Sequence, residues 1–221
     1  MTDTSYALFL DLAAGLFLLA AIGVLWRHQL ASMIRLFALQ GAALAAIVAI
    51  LGIHEHSTEL ILVAVGLGVL RAAVLPYLAW RALGDSPAEA RETRPVVNVA
   101  ASLLAAAALT LLAYAATRPL VAMLGVGPDV TIVPAALAVA LIGFFTLVTR
   151  RRALSQVVGF LLLDNGITAT AFLAAGGVPL IVELGVSFDL LLVVLVLQVL
   201  TARLRTTFGS SDLDELRELR D

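Results

Sequence analysis

Three ionisable side chains stand in the middle of long apolar stretches: Arg71, Asp164 and Asp189. Asp164 lies about ten residues into its stretch and Asp189 about ten into the next, so each is roughly 15 Å deep at 1.5 Å per helical residue. A charge buried that far in lipid costs at least ~2.5 kcal/mol. Such a carboxyl must be paired, hydrated or kept protonated. Carboxyls of this kind suit a proton relay, which needs groups that both take up and release a proton. The plainer account is a carboxyl that hydrogen-bonds a neighbouring helix for packing. Arg71 is too deep to snorkel and needs an anion, for which Asp164 and Asp189 are the candidates. Glu59 and Glu183 sit near the first turns of their stretches. The helix dipole stabilises a carboxylate there; the sharper alternative is a proton port at the membrane surface. Asp11 reads the same way, and Arg35 is shallow enough to snorkel.

Other chemistry is thin. His54, Glu55 and His56 offer His-x-His spacing on a short loop, two ligands where a closed zinc site needs four. There is no cysteine, which excludes disulfides, thiolate metal sites and Cys-ligated iron–sulfur clusters. Phosphate loops, Ser–His–Asp sets and haem or flavin signatures are missing, so the chain is expected to hold no cofactor of its own.

The elements that position these groups follow from composition. Of 221 residues, 62% are hydrophobic and only 14% charged, against about 25% charged in a soluble domain. A soluble fold this size cannot hide so much apolar surface. That excludes a soluble enzyme, a disordered chain and a nucleic-acid binder. One crossing takes about 20 apolar residues. Seven stretches qualify, near 6–26, 30–53, 58–80, 95–117, 128–149, 154–175 and 179–202. Within lipid their backbones must bond internally, so they are predicted helices. Pro95, Pro128 and Pro179 fall near first turns, while Pro76 is interior and predicts a kink. The glycines Gly66 and Gly68, with Gly176 and Gly177, predict close helix approach or local backbone opening.

Every basic residue is an arginine, 14 in all. With the N-terminus outside, 11 of them fall in inner loops and the tail and only Arg118 falls outside, which sets the orientation. The first stretch has no basic leader and no small-residue cleavage site, so it is expected to stay as a span. After 205 the chain turns polar, with Ser210 or Ser211 able to cap a short helix carrying Leu213, Leu216 and Leu219. That tail is either solvated or a dock for a cytoplasmic partner.

Sliding the chain along itself gives a match at a shift of 124 residues (151 − 27). Arg27 meets Arg151, Leu30 meets Leu154, Gly52 meets Gly176, and Glu59 meets Glu183. Four helices separate the copies, so they share one orientation. The expected fold is all-α: seven transmembrane helices, N-terminus outside, C-terminus in the cytoplasm, in two parallel three-helix repeats. The segments are 1–81 for the first repeat, 82–127 for an inner loop and connector helix, 128–205 for the second repeat and 206–221 for the tail. The mid-helix acids occur only in the second copy: Gln40 opposes Asp164, and Val65 opposes Asp189.

The segment Arg150-Arg-Arg-Ala-Leu-Ser-Gln-Val-Val-Gly-Phe-Leu-Leu-Leu-Asp-Asn-Gly-Ile, with Pro179-Leu-Ile-Val-Glu-Leu-Gly-Val-Ser-Phe-Asp189, resembles component E of hydrogenase-4 and formate hydrogenlyase-type membrane complexes. That resemblance covers nearly the whole chain. Over about 130–205 the sequence is also similar to the K-type subunit of respiratory complex I and the C-type subunit of cation/proton antiporters. In the K-type family two buried carboxylates belong to a lateral proton-transfer chain. Carried over by position, Asp189 falls on one. The other would fall on Leu161, two residues after Gly159, and Asp164 comes one turn later. The resemblance implies a non-catalytic subunit of the bacterial cytoplasmic membrane. Its implied partners are antiporter-like subunits, a quinone-channel-like subunit and a cytoplasmic iron–sulfur or hydrogenase-like arm. Three readings therefore compete: a proton-conducting subunit of a redox-driven pump, a purely structural spacer between ion-translocating modules, and an independent or antiporter-type transporter.

Overall fold

The computed structural model describes residues 3–27, 29–83, 97–125 and 127–175. Six helices long and apolar enough to cross a membrane lie among them. We number them α1 (Asp3–Trp26), α2 (Leu30–His54), α3 (Thr58–Leu83), α4 (Val99–Leu124), α5 (Pro128–Thr149) and α6 (Ala153–Ala175). The seventh expected span, the tail helix, Gly176, Gly177, Glu183 and Asp189 lie outside the described residues.

The helix ends have local causes. Ser57 caps α3, its hydroxyl accepting the Leu60 N–H at 3.3 Å. Asn98 caps α4, its side-chain oxygen accepting the Ala101 N–H at 2.8 Å. The cap moves the start of α4 from the expected Pro95 to Val99, because a side-chain acceptor satisfies an orphan first-turn donor and proline only tolerates its absence. At its other end α4 runs beyond the expected 117, through Pro119 to Leu124. It stops where Gly125 takes a positive φ of 97°.

Just before its interior proline, α3 changes its winding. From Gly68 to Val74 the helix widens into a π-helical turn, and Leu75 N–H bonds back to the Leu70 carbonyl, five residues earlier. Pro76 has no N–H, and its ring crowds the carbonyl four residues before it. Widening the turn accommodates both. Gly68 thus marks the expected backbone opening. The close approach comes from α2 instead: a Cβ on Gly41 would overlap the Arg71 carbonyl, whereas one on Gly68 would make only an ordinary 3.5 Å contact with Ala45.

Packing runs through α2, α5 and α6. The α5–α6 pair is the most extensive, followed by α2–α3 and then α1–α2. α2 also touches α6, and α5 also touches α1 and α4. Phe17, Phe37, Leu44, Leu67, Val139, Leu161 and Phe172 share one buried core. α4 is the least buried of the six.

One arginine locks two distant helix ends. Arg150, buried just past α5, donates from one nitrogen to the carbonyls of Val24, Leu25 and Arg27 at 3.1–3.2 Å. These carbonyls belong to the last turn of α1 and the residue after it, where helical donors run out and a cation meets the negative end of the dipole; the Val24 carbonyl also accepts the Arg27 N–H at 3.3 Å. Arg150→Met is expected to cost about 1.5–3 kcal/mol, the worth of hydrogen bonds to a charged group. Unfolding of the purified chain in mixed micelles measures it; a shift near zero would mean that water serves these carbonyls as well.

Candidate functional site: a buried ion pair

The middle of the bundle holds a connected polar cluster. Arg71 sits 13 residues (71 − 58) into the 26-residue α3, within the π-helical turn. It is 0% exposed, the largest of the fully buried side chains. From one nitrogen it donates to Asp164 Oδ2, making an ion pair, and to Asn165 Oδ1. From the other it donates to Thr168 Oγ1 at 3.1 Å. The three acceptors stand at i, i+1 and i+4 on α6, a spacing that puts them within reach of a single guanidinium.

The cluster continues into α2. Asn165 Nδ2 donates to Gln40 Oε1 at 2.8 Å. A guanidinium only donates, so Asn165 must turn its oxygen to Arg71 and its amide N–H to Gln40. The cation therefore sets the orientation of both amides. The last donor of the series, Gln40 Nε2, is buried and has no partner among the described residues. Gln40 is the position that the 124-residue register sets opposite Asp164, and it meets Asp164's neighbour.

The surroundings are apolar. Leu67 and Leu75 flank Arg71 on its own helix, and Leu161 and Phe172 are buried on α6. In such a medium an unpaired charge is very costly, and the pair holds because each charge is matched and hydrogen-bonded. Chemically the arrangement can hold a carboxylate beside a permanent cation, and can change that carboxylate's charge when the guanidinium moves or a proton arrives. Among the described residues no three His, Cys, Asp or Glu side chains come together as a metal site.

Against this geometry stand the relatives. A protein of Mycobacterium tuberculosis named only as uncharacterised protein Rv0085 is 52% identical, and the match covers the full length of both chains. The chain belongs to the family of that protein. It is also distantly homologous to hydrogenase-4 component E: 26% identity to the Escherichia coli K12 and Shigella flexneri proteins, over 94% of this chain and 95% of theirs. No family model matches the chain. No solved structure matches it either.

Of the residues singled out by sequence, Arg71 and Asp164 come together. Glu59 does not join them. It is exposed in the first turn of α3, 12 residues (71 − 59) from Arg71, or about 18 Å along the axis. Arg35 is exposed and lies over the Trp80 ring at 5.3 Å. His54 stacks on the Tyr6 ring with centroids 3.9 Å apart, so its imidazole is packed against an aromatic face.

Sequence reasoning does not single out Asn165 and Thr168 as partners of Arg71, or Gln40 as the partner of Asn165. A signal for the first two was present: Asp164, Asn165 and Thr168 form a polar i, i+1, i+4 set in the middle of a largely apolar span. Gln40 stands out in the same way in α2.

Proposed function

We propose that this chain is an integral membrane subunit of a redox-driven ion pump of the hydrogenase-like or complex I-like kind, and that its mid-membrane carboxyls serve a lateral proton-transfer path. The observation that carries the reading is the Arg71–Asp164 pair at mid-helix depth, its arginine fully and its aspartate mostly buried, extended by Asn165 and Thr168. A packing role alone does not need a full charge pair in lipid, since neutral side chains bond helices at lower cost. The homology to hydrogenase-4 component E supports the class of complex. In this reading Asp164 and Asp189 carry the proton, Arg71 sets the charge balance of Asp164, and Glu183 and Glu59 stand at the outer surface. Partners are antiporter-like and quinone-channel-like membrane subunits and an iron–sulfur or hydrogenase-like arm in the cytoplasm. The chain itself holds no cofactor and catalyses nothing alone. It sits in the bacterial inner membrane with its N-terminus outside, its arginine-rich loops inside, and a seventh span after α6. A parallel repeat accords with the contacts of α1 with α5 and of α2 with α6, the helices that the register matches.

Asp164→Asn tests the path. The assembled complex is expected to keep its redox turnover and lose most proton movement, while Asp164→Glu retains part of it. Wild-type pumping by Asp164→Asn would remove the proton role.

A scaffold reading is favoured by one observation. Gly143, Gly159 and Gly166 let the backbones of α5 and α6 meet with no room for a Cβ, as in a rigid spacer. If Asp164→Asn pumps normally and bulky replacements in this seam disperse the complex, the spacer is the function.

A further inference from the structure

Arg118 is the one arginine that the charge pattern leaves on the outer side. It is exposed near the end of α4, and no ion pair or hydrogen bond engages it among the described residues. Six further helical residues, 119–124, follow it, and all are apolar. They place its Cα about 9 Å below the end of α4. A cavity of about 520 Å³ opens beside it, between α4 and α5. Leu111 and Pro134 line its apolar part, and Arg118, Tyr114 and Ala115 bring polar groups. Pro119 has no N–H to give to the Ala115 carbonyl four residues earlier, so that carbonyl lacks its usual helical donor. The cavity thus joins a permanent cation, a backbone acceptor and a phenol hydroxyl to an apolar wall.

We infer that this cavity is a binding site for an anionic phospholipid whose headgroup carries hydroxyls, phosphatidylglycerol being the simplest. The phosphodiester meets the Arg118 guanidinium, a headgroup hydroxyl donates to the Ala115 carbonyl, and the upper part of one acyl chain lies along Leu111 and Pro134. The position of the cation selects the source. An anion that reaches a guanidinium below the helix end, beside apolar walls, is best delivered with a hydrocarbon chain attached. The volume falls within the ~300–1,000 Å³ of small-ligand sites and admits a headgroup with part of one chain, not a whole lipid. A zwitterionic ethanolamine headgroup brings an ammonium towards Arg118 and is disfavoured.

The test is native mass spectrometry of the full chain, extracted from its membrane in mild detergent. Phosphatidylglycerol is expected to be retained about fivefold above its share of the membrane lipid, the effect of one basic residue at a headgroup. Arg118→Gln should bring retention down to the bulk ratio, Arg118→Lys should keep part of the enrichment, and Arg35→Gln should leave it unchanged. Arg118 is exposed, so these variants keep the helix intact, which circular dichroism confirms. Equal retention by wild type and Arg118→Gln overturns the inference. Displacement of the lipid by added inorganic phosphate overturns it too, because the site is then a bare anion site. So does a structure of the assembled complex with a protein segment filling the cavity.

Discussion

Asp164→Leu is expected to destabilise the folded chain by about 3–5 kcal/mol, the cost of removing one member of an ion pair whose cation is buried. Arg71 is fully buried, and two of its other acceptors, Asn165 and Thr168, are neutral. A guanidinium cannot shed its proton, so a buried cation deprived of the Asp164 carboxylate has no means of becoming neutral. The reverse variant is different. In Arg71→Met the aspartic acid can take up a proton, and the loss should be clearly smaller. The double variant Arg71→Met/Asp164→Leu removes both charges and should recover most of the loss from Asp164→Leu, since apolar replacement of a buried pair is often neutral. A double-mutant cycle by denaturant unfolding in mixed micelles reads the coupling directly. If the double variant is no more stable than Asp164→Leu, the pair does not hold α3 to α6.

Gly143→Leu should be nearly as damaging. A Cβ at Gly143 would overlap the backbone of Leu162 and Leu163, and one at Gly166 would overlap that of Ala140. Backbone atoms cannot rotate aside as a flexible side chain can, so α5 and α6 must separate. Overpacking of this kind costs about 1–3 kcal/mol and occasionally more; here the upper end is expected, because α5–α6 is the most extensive packing in the bundle. Gly15 supplies the control. Nothing lies within 4 Å of a Cβ built there, and in the middle of α1 alanine is the better helix former by roughly 0.5–1 kcal/mol. Gly15→Ala should therefore be neutral or mildly stabilising in the same assay. Equal effects at 15 and 143 would mean that helix propensity, not close approach, governs both sites.

Much of the fold was legible because lipid leaves the backbone few options. Hydropathy placed α1, α2, α5 and α6 to within a few residues, since each is a largely apolar run bounded by polar breaks. The start of α4 was misplaced because a proline is visible in a sequence and the strength of an asparagine cap is not. Its end was cut short at Thr117 because Arg118-Pro119 resembles a stop, yet a proline one turn from a helix end is tolerated. The need of Arg71 for an anion was readable from depth alone. Its choice of Asn165 and Thr168 beside Asp164 depended on the rotation of α6, which periodicity in so apolar a helix does not reveal. The π-helical turn at Gly68–Val74 was invisible as such, because glycine and proline signal a weak point without its geometry. The glycine seam was missed for a related reason: Gly143, Gly159 and Gly166 look like any glycines until the facing backbone is known.

The buried pair also has a consequence in time. Arg71 and Asp164 are 93 residues apart in the chain. At about 5–20 residues per second of synthesis, roughly 5–20 s separate the emergence of the cation from that of its counter-ion. Through that interval α3 carries an unmatched guanidinium worth at least ~2.5 kcal/mol against insertion. A ribosome-bound chain that ends after α3 should therefore enter the bilayer less readily than the same chain with Arg71→Met, and one extended past α6 should lose that difference. The last described helix acts, in effect, as the licence for the third to settle in the membrane.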